Sequence, residues 1–271
     1  MRLAVRHVTQ YRFDPPLVHG LQRLRLTPKE THGQSIAEWS MDLAGGKLEA
    51  TYDDHNFNHA TLISVLPGAA ELTITCQGVV DTADRAGVLG KHGGRLPLWA
   101  FARQSGLTKP GPKMKALLAS LDREPEDTLG QLHALSTAVL DAVVYTPGHT
   151  DVATSAEEAL AAGKGVCQDH AHIFIGCCRV LGIPARYVSG YLMMNDRIEQ
   201  EAGHGWAEAH IDRLGWVGFD VSNGISPDAR YVRVASGRDY GEAAPVTGIS
   251  FGSSASTLSV SLAVEQQAVQ L

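Results

Sequence analysis

The sequence predicts an α+β protein: an antiparallel β-rich region, then a helical region, then a second set of strands. Three observations carry this reading. Residues 1–80 hold short runs of alternating apolar residues separated by turn residues. Residues 113–182 place apolar side chains at steps of three and four. Period two then returns after residue 185 and again near the C-terminus. At 271 residues the chain exceeds a typical single domain, and 44% apolar content is ample for packed cores. We expect a β-rich domain over 1–95, a linker over 96–112, and a core with its tail over 113–271.

In the first region, Leu3 and Val5 alternate, and Leu24 and Leu26 follow beyond the Pro15-Pro16 turn. Runs at Ile36–Met41, Leu48–Tyr52, Ala60–Val65 and Leu72–Cys76 are separated by Gly45-Gly46, the Asp53-Asp54-His55-Asn56 cluster and Pro67-Gly68. Strands at this spacing predict an antiparallel sandwich or barrel-like unit. No chemistry is expected there, and His55 and His59 read as turn residues. Residues 81–112 are rich in Gly and Pro, with one helical turn expected at Leu98–Phe101.

Helices are predicted at Met114–Leu121 and Thr128–Val144. A third opens on the capping box Ser155-Ala-Glu-Glu158 and ends at Gly163. The next begins at Cys167, carries Ala171, Phe174, Ile175 and Cys178 at helical spacing, and stops near Gly182-Ile-Pro184. Strands are expected at 185–194, at His204–Ile211, at Trp216–Asp220 after the turn Asp212–Gly215, and at Thr257–Val264. The segment between Asp220 and Thr257 reads as loop.

Net charge is −6, without a basic tract, so a nucleic-acid partner is not expected. No apolar run approaches the ~20 residues that span a bilayer. The start Met-Arg-Leu-Ala-Val-Arg-His has no apolar signal segment, and the four cysteines (Cys76, Cys167, Cys177, Cys178) form no CxxC pair. A cytoplasmic protein is therefore expected.

Cys167 stands apart from the other thiols. Its lead-in, Gly163-Lys-Gly-Val166, delivers it to the first turn of a helix, where free N–H groups and the helix dipole favour negative charge on sulfur. A thiol nucleophile needs a base that later returns a proton, and the base needs an acceptor that orients it. His204 and Asp220 are the candidates. His204, Trp206, Glu208 and His210 share one strand face, and Asp220 joins that face only if the hairpin loop has an odd number of residues or a bulge corrects the register. A metal at Cys167, Asp169, His170 and His172 is disfavoured, because residues two apart on a helix point about 200° apart. No metal or cofactor is expected.

The order Gly165-Val-Cys167-Gln-Asp, then His204-Gly-Trp206-Ala-Glu208, then Gly215-Trp-Val-Gly-Phe-Asp220 resembles the bacterial transglutaminase-like (transglutaminase/protease) superfamily. Residues 6–28 resemble the β-rich N-terminal domain that precedes the core in the bacterial branch. Tyr145–Asp151, Gly182–Tyr191, Gly237–Tyr240 and Pro245–Gly248 also match the family's form. Departures are His170, where an aromatic is usual, and Gly205. The resemblance implies a papain-like core in which the cysteine-bearing helix packs on an antiparallel sheet. It implies Cys167 as nucleophile, His204 as base and acid, and Asp220 as orienter. Gln168, Trp206, Tyr145 and Tyr240 are candidates for oxyanion or substrate contacts. The expected activity is cysteine-dependent acyl transfer on peptide or glutamine amides through a thioester, with hydrolysis (protease or amidase) preferred. The alternatives are a transglutaminase that crosslinks to amines, or a non-catalytic binding module. The expected partner is a peptide or protein substrate.

Overall fold

A computed structural model of the protein describes residues 1–121, 127–252 and 255–267. The first region folds as strands β1 (Arg2–Asp14), β2 (His19–Leu24), β3 (Gln34–Ala44), β4 (Gly46–Asp53), β5 (His59–Val65), β6 (Glu71–Thr82) and the short β7 (Val88–Gly90). Along β1 the apolar-alternating pattern becomes a burial pattern: Leu3, Val5, His7 and Thr9 face inward while Arg2 and Arg6 face solvent. Leu24, Ile63 and Val65 from β2 and β5 pack with Phe13, Leu72, Ile74 and Cys76 from β1 and β6. The two sheets therefore close on one another as a sandwich.

Next come α1 (Leu98–Phe101), α2 (Pro112–Ala119), α3 (Thr128–Ala142), β8 (Val144–Tyr145), α4 (Ala156–Ala162), β9 (Lys164–Gly165) and α5 (Cys167–Val180). The capping box forms as predicted. Glu158 N–H donates to Ser155 Oγ (3.4 Å), Ser155 N–H donates to Glu158 Oε2 (2.9 Å), and α4 ends at Gly163 in the left-handed region (φ 65°). Helix α5 is buried along nearly all its length, with Phe174 and Phe219 rings 4.9 Å apart at its centre. Its last-turn Arg179 donates to Phe101 O, Thr108 Oγ1 and Ala185 O, which ties the expected linker to the end of the helix.

The remaining strands are β10 (Ala185–Leu192), β11 (Glu199–Gln200), β12 (His204–Ile211), β13 (Gly215–Phe219) and β14 (Tyr231–Gly237). They are followed by α6 (Tyr240–Ala243), β15 (Val246–Phe251) and β16 (Ala255–Gln266). The sheet under α5 runs β14-β10-β12-β13-β7, antiparallel throughout. Among the described residues no helix is long and apolar enough to cross a membrane.

Three features depart from the sequence reading. β14, read as loop, is a sheet strand buried at every position, so it has no period-two signature. Its Arg233 and the β10 residue Arg186 both bind Glu208, which is fully buried on β12. β7, inside the glycine-rich stretch, adds to β13. The tail does not stay with the core: β15 pairs with β2, and β16 pairs with β1 along its whole length. Leu262 and Val264 of β16 join Leu3, Val5 and Val80 against Tyr191, Val232 and Val234. That cluster packs the N-terminal sheet onto the core sheet.

Candidate active site

Cys167 occupies the first position of α5 and is half-buried, whereas Cys76, Cys177 and Cys178 are buried. Two contacts fix the start of this helix. Asp169 Oδ2 accepts from Val166 N–H (2.7 Å) and from Thr150 Oγ1 (2.7 Å). Gly165 passes so close that a Cβ there would lie 2.7 Å from Asp169 Cβ, so the approach requires glycine. The amide of Cys167 is one of the first-turn groups that a helix leaves without an intrahelical acceptor.

His204 opens β12. The β12–β13 pairing runs from Ile211↔Gly215 to Ala207↔Phe219, which leaves a three-residue loop, 212–214. That is the odd number the shared face requires. The loop reverses with Arg213 and Gly215 both at positive φ (70° and 80°). Continued by one step, the register sets Asp220 beside Trp206, on the face that His204 shares. His204 Nε2–H donates to Asp220 Oδ2 at 2.6 Å. Cys167 and His204 border the same two spaces, and the thiol is one of the groups that act on the ring's titration.

Burial opposes charge on His204. The hydrogen bond to Asp220, and after it the influence of the nearby Cys167, outweighs burial and raises the imidazole to about 10. Asp220 is fully buried. Burial alone would raise it, but the bonds from His204, Tyr231 and Asn223 hold it below the usual carboxylate range. Tyr231 Oη–H and Asn223 Nδ2–H each donate to Oδ2 at 2.6 Å. Sequence reasoning missed both residues. Asn223 stands three positions after Asp220 in a polar turn, a spacing from which a side-chain-to-turn contact can be read. Tyr231 arrives on β14 and carries no local signal.

The other sequence candidates fall in different places. Gln168 and Tyr240 line an inner cavity of about 210 Å³ beside Cys167, and Tyr145 lines an outer groove of about 760 Å³ that also borders it. Val166, Cys167, Ala202, Gly203 and His204 border both. Trp206 is 2% exposed, stacked on His204 and edge-on to Tyr231, and lines neither space. It packs the imidazole from behind. The inner cavity is also walled by His7 and Arg25, so the N-terminal strands, where no chemistry was expected, reach the cysteine's surroundings.

His170 and His172 are both engaged within the protein and face different neighbours. His170 Nε2–H donates to Val143 O (2.9 Å), and its Nδ1 accepts from Ser222 Oγ (2.7 Å). His172 Nε2 accepts from Tyr240 N–H (3.1 Å), and burial pushes this ring down to about 4. Among the described residues no group of three or more His, Cys, Asp or Glu side chains is placed to hold a metal ion. A thiol, an imidazole and a carboxylate in this series can generate a thiolate, return a proton to a leaving group and hold the imidazolium between the two steps.

Comparison with known proteins gives the family and the fold. Residues 115–221 match the transglutaminase-like superfamily, and residues 3–81 match the bacterial transglutaminase-like N-terminal region. An uncharacterized protein of Mycobacterium tuberculosis is 30% identical over 282 residues, covering 93% of this chain and 88% of its own. One of Mycobacterium leprae is 28% identical over 275 residues, covering 96% of each. The crystal structure of a candidate cysteine protease from Cytophaga hutchinsonii shares the fold. Its TM-score is 0.76 at 22% identity, over 100% of this chain and 92% of that one. The chain therefore belongs to the transglutaminase-like superfamily, with the bacterial N-terminal region ahead of the core.

Proposed function

We propose that this protein is a cysteine-dependent acyl-transfer enzyme that acts on amide bonds, with Cys167 as nucleophile, His204 as proton carrier and Asp220 as orienter. One observation carries the reading: His204, bonded through Nε2 to Asp220, lines the same two spaces as the Cys167 thiol. The Cys167 thiolate attacks the amide carbonyl. The oxyanion is received by the Cys167 amide at the start of α5, with the Gln168 side chain as second donor. Imidazolium His204 gives its proton to the departing amine and a thioester remains. Water then attacks the thioester, His204 takes the water's proton, and the carboxylic product leaves as the thiolate–imidazolium pair re-forms. Tyr231 and Asn223 keep Asp220 ionised and aimed at the ring throughout.

Hydrolysis is the preferred outcome because the outer groove gives water a wide approach to Cys167. The test offers glutamine-containing peptides with and without a primary amine, and reads ammonia, cleavage and crosslink by mass spectrometry. Cleavage or deamidation that the amine does not divert, and that Cys167→Ala abolishes, is the expected result. Amine incorporation in preference to water would make the protein a transglutaminase. Turnover that survives Cys167→Ala would refute the mechanism.

A further inference from the structure

The inner cavity beside Cys167 contains a cation whose hydrogen bonds are not completed by the protein. Arg25 follows β2, is 2% exposed and lines this space. Its Nε–H donates to Asp54 Oδ2 at 3.0 Å. The carboxylate of Asp54 is otherwise taken up by its own turn: Asn56 N–H and Asn58 N–H reach Oδ1 at 2.8 and 3.0 Å, and Asn58 Nδ2–H reaches Oδ2 at 3.1 Å. Asp54 therefore meets the guanidinium at Nε. Nη1 is buried and has no acceptor in the protein. A buried, unpaired guanidinium N–H is costly, and a carboxylate that accepts from it makes a charge-assisted bond.

The other polar walls of the cavity do not fill that role. His7 is committed to Tyr191 Oη (2.9 Å) and Thr9 Oγ1 (3.2 Å), and Ser189 Oγ–H donates to Ala243 O (2.6 Å). Tyr187 and Tyr240, ring centroids 5.9 Å apart and edge to face, supply the apolar wall. A space of about 210 Å³ corresponds to roughly seven waters, enough for one short acidic side chain or a chain-terminal carboxylate.

We propose that Arg25 makes this cavity a subsite for a carboxylate carried by the acyl donor. The word donor rests on the reading of Cys167 as nucleophile, whereas the carboxylate site stands apart from it. Substrates with an acidic group next to the reacting amide are then selected, and the N-terminal strands act as a specificity element.

The test uses the full chain carrying Cys167→Ala, titrated by NMR with three small probes: N-acetyl-glutamate N-methylamide, N-acetyl-glutamine N-methylamide and N-acetyl-glutamine. The first carries a side-chain carboxylate, the second none and the third a terminal one. We expect at least one of the acids to bind about tenfold or more tightly than the neutral amide, and which acid wins identifies the source of the carboxylate. Adding Arg25→Gln should abolish the preference, and Arg25→Lys should keep only part of it. If the arginine variants do not fold, the contrast between acids and amide on the Cys167→Ala protein alone decides. Equal affinities, or no binding of any probe, overturn the proposal. Iodoacetamide labelling of the unsubstituted chain judges the nucleophile separately: a carboxylate preference beside an unreactive Cys167 keeps the subsite and removes the acyl donor.

Discussion

Glu208 offers the sharpest test of how the core sheet holds His204 in place. It lies on β12, four residues from His204, and is 0% exposed. Arg186 Nε–H donates to it at 2.5 Å from β10, and Arg233 Nε–H donates at 2.7 Å from β14. Glu208→Gln leaves two buried guanidinium groups without their counter-charge, and breaking a buried pair in this way costs about 3–5 kcal/mol. The shift of this carboxyl gives a second figure for the same pairs. Burial works to raise this carboxyl, but Arg186 and Arg233 outweigh burial and bring it to about 2, from 4.5 when unfolded. At 1.36 kcal/mol per pH unit that shift is worth roughly 3 kcal/mol. Because the folded value is depressed, the stabilisation is complete above the unfolded value of 4.5 and disappears as pH falls towards 2. Urea denaturation of both proteins at pH 7 and pH 3 checks this. The variant should be less stable by about 3–5 kcal/mol at pH 7, and the gap should narrow by about 1–2 kcal/mol at pH 3. Equal stabilities at pH 7, or a gap that ignores pH, would refute the argument.

The His204 ring should titrate far above the ordinary histidine value of 6.5, near the value of about 10 set by Asp220 and Cys167. Its stabilising effect is thus complete below 6.5 and lost as pH rises towards 10. An NMR titration of the ring proton should show no midpoint below pH 8, and Asp220→Asn should bring the midpoint down; an unperturbed midpoint near 6.5 rejects the pairing. Tyr231→Phe removes a donor from a buried carboxylate and should cost about 1.5–3 kcal/mol in urea melts. A Cβ at Gly205 would lie 2.0 Å from the Tyr187 hydroxyl, so Gly205→Ala should cost about 1–3 kcal/mol. Adding Tyr187→Phe should recover part of that loss, and strictly additive losses would place the strain elsewhere.

Local chemistry made much of the molecule legible in the sequence. The capping box at Ser155 marked the start of α4, the glycine-rich lead-in marked that of α5, and alternation marked β12 and β13. The turn between them, read as the four residues 212–215, is one residue shorter because Gly215 pairs with Ile211. What stayed hidden was non-local. β14 has no polar face, because one side lies under the N-terminal sheet and its arginine is neutralised by Glu208. Tyr231 and Arg25 act on groups reached only through sheet pairing or sheet packing, so no sequence spacing announces them. Trp206, one of the candidates for an oxyanion or substrate contact, is stacked on the His204 imidazole. A strand position specifies the face of a residue but not what stands opposite. The tail was assigned to the core by order along the chain, yet β15 and β16 found their partners in β2 and β1.

The most direct test of the account is the rate at which iodoacetamide labels Cys167 at pH 7, compared between the unsubstituted chain and His204→Ala. The comparison holds exposure of the thiol nearly constant and removes only its proton partner. The account predicts fast labelling of Cys167, with Cys76, Cys177 and Cys178 protected by burial, and a loss of about 100-fold or more on removal of the imidazole. Equal rates at Cys167 in the two proteins would contradict it.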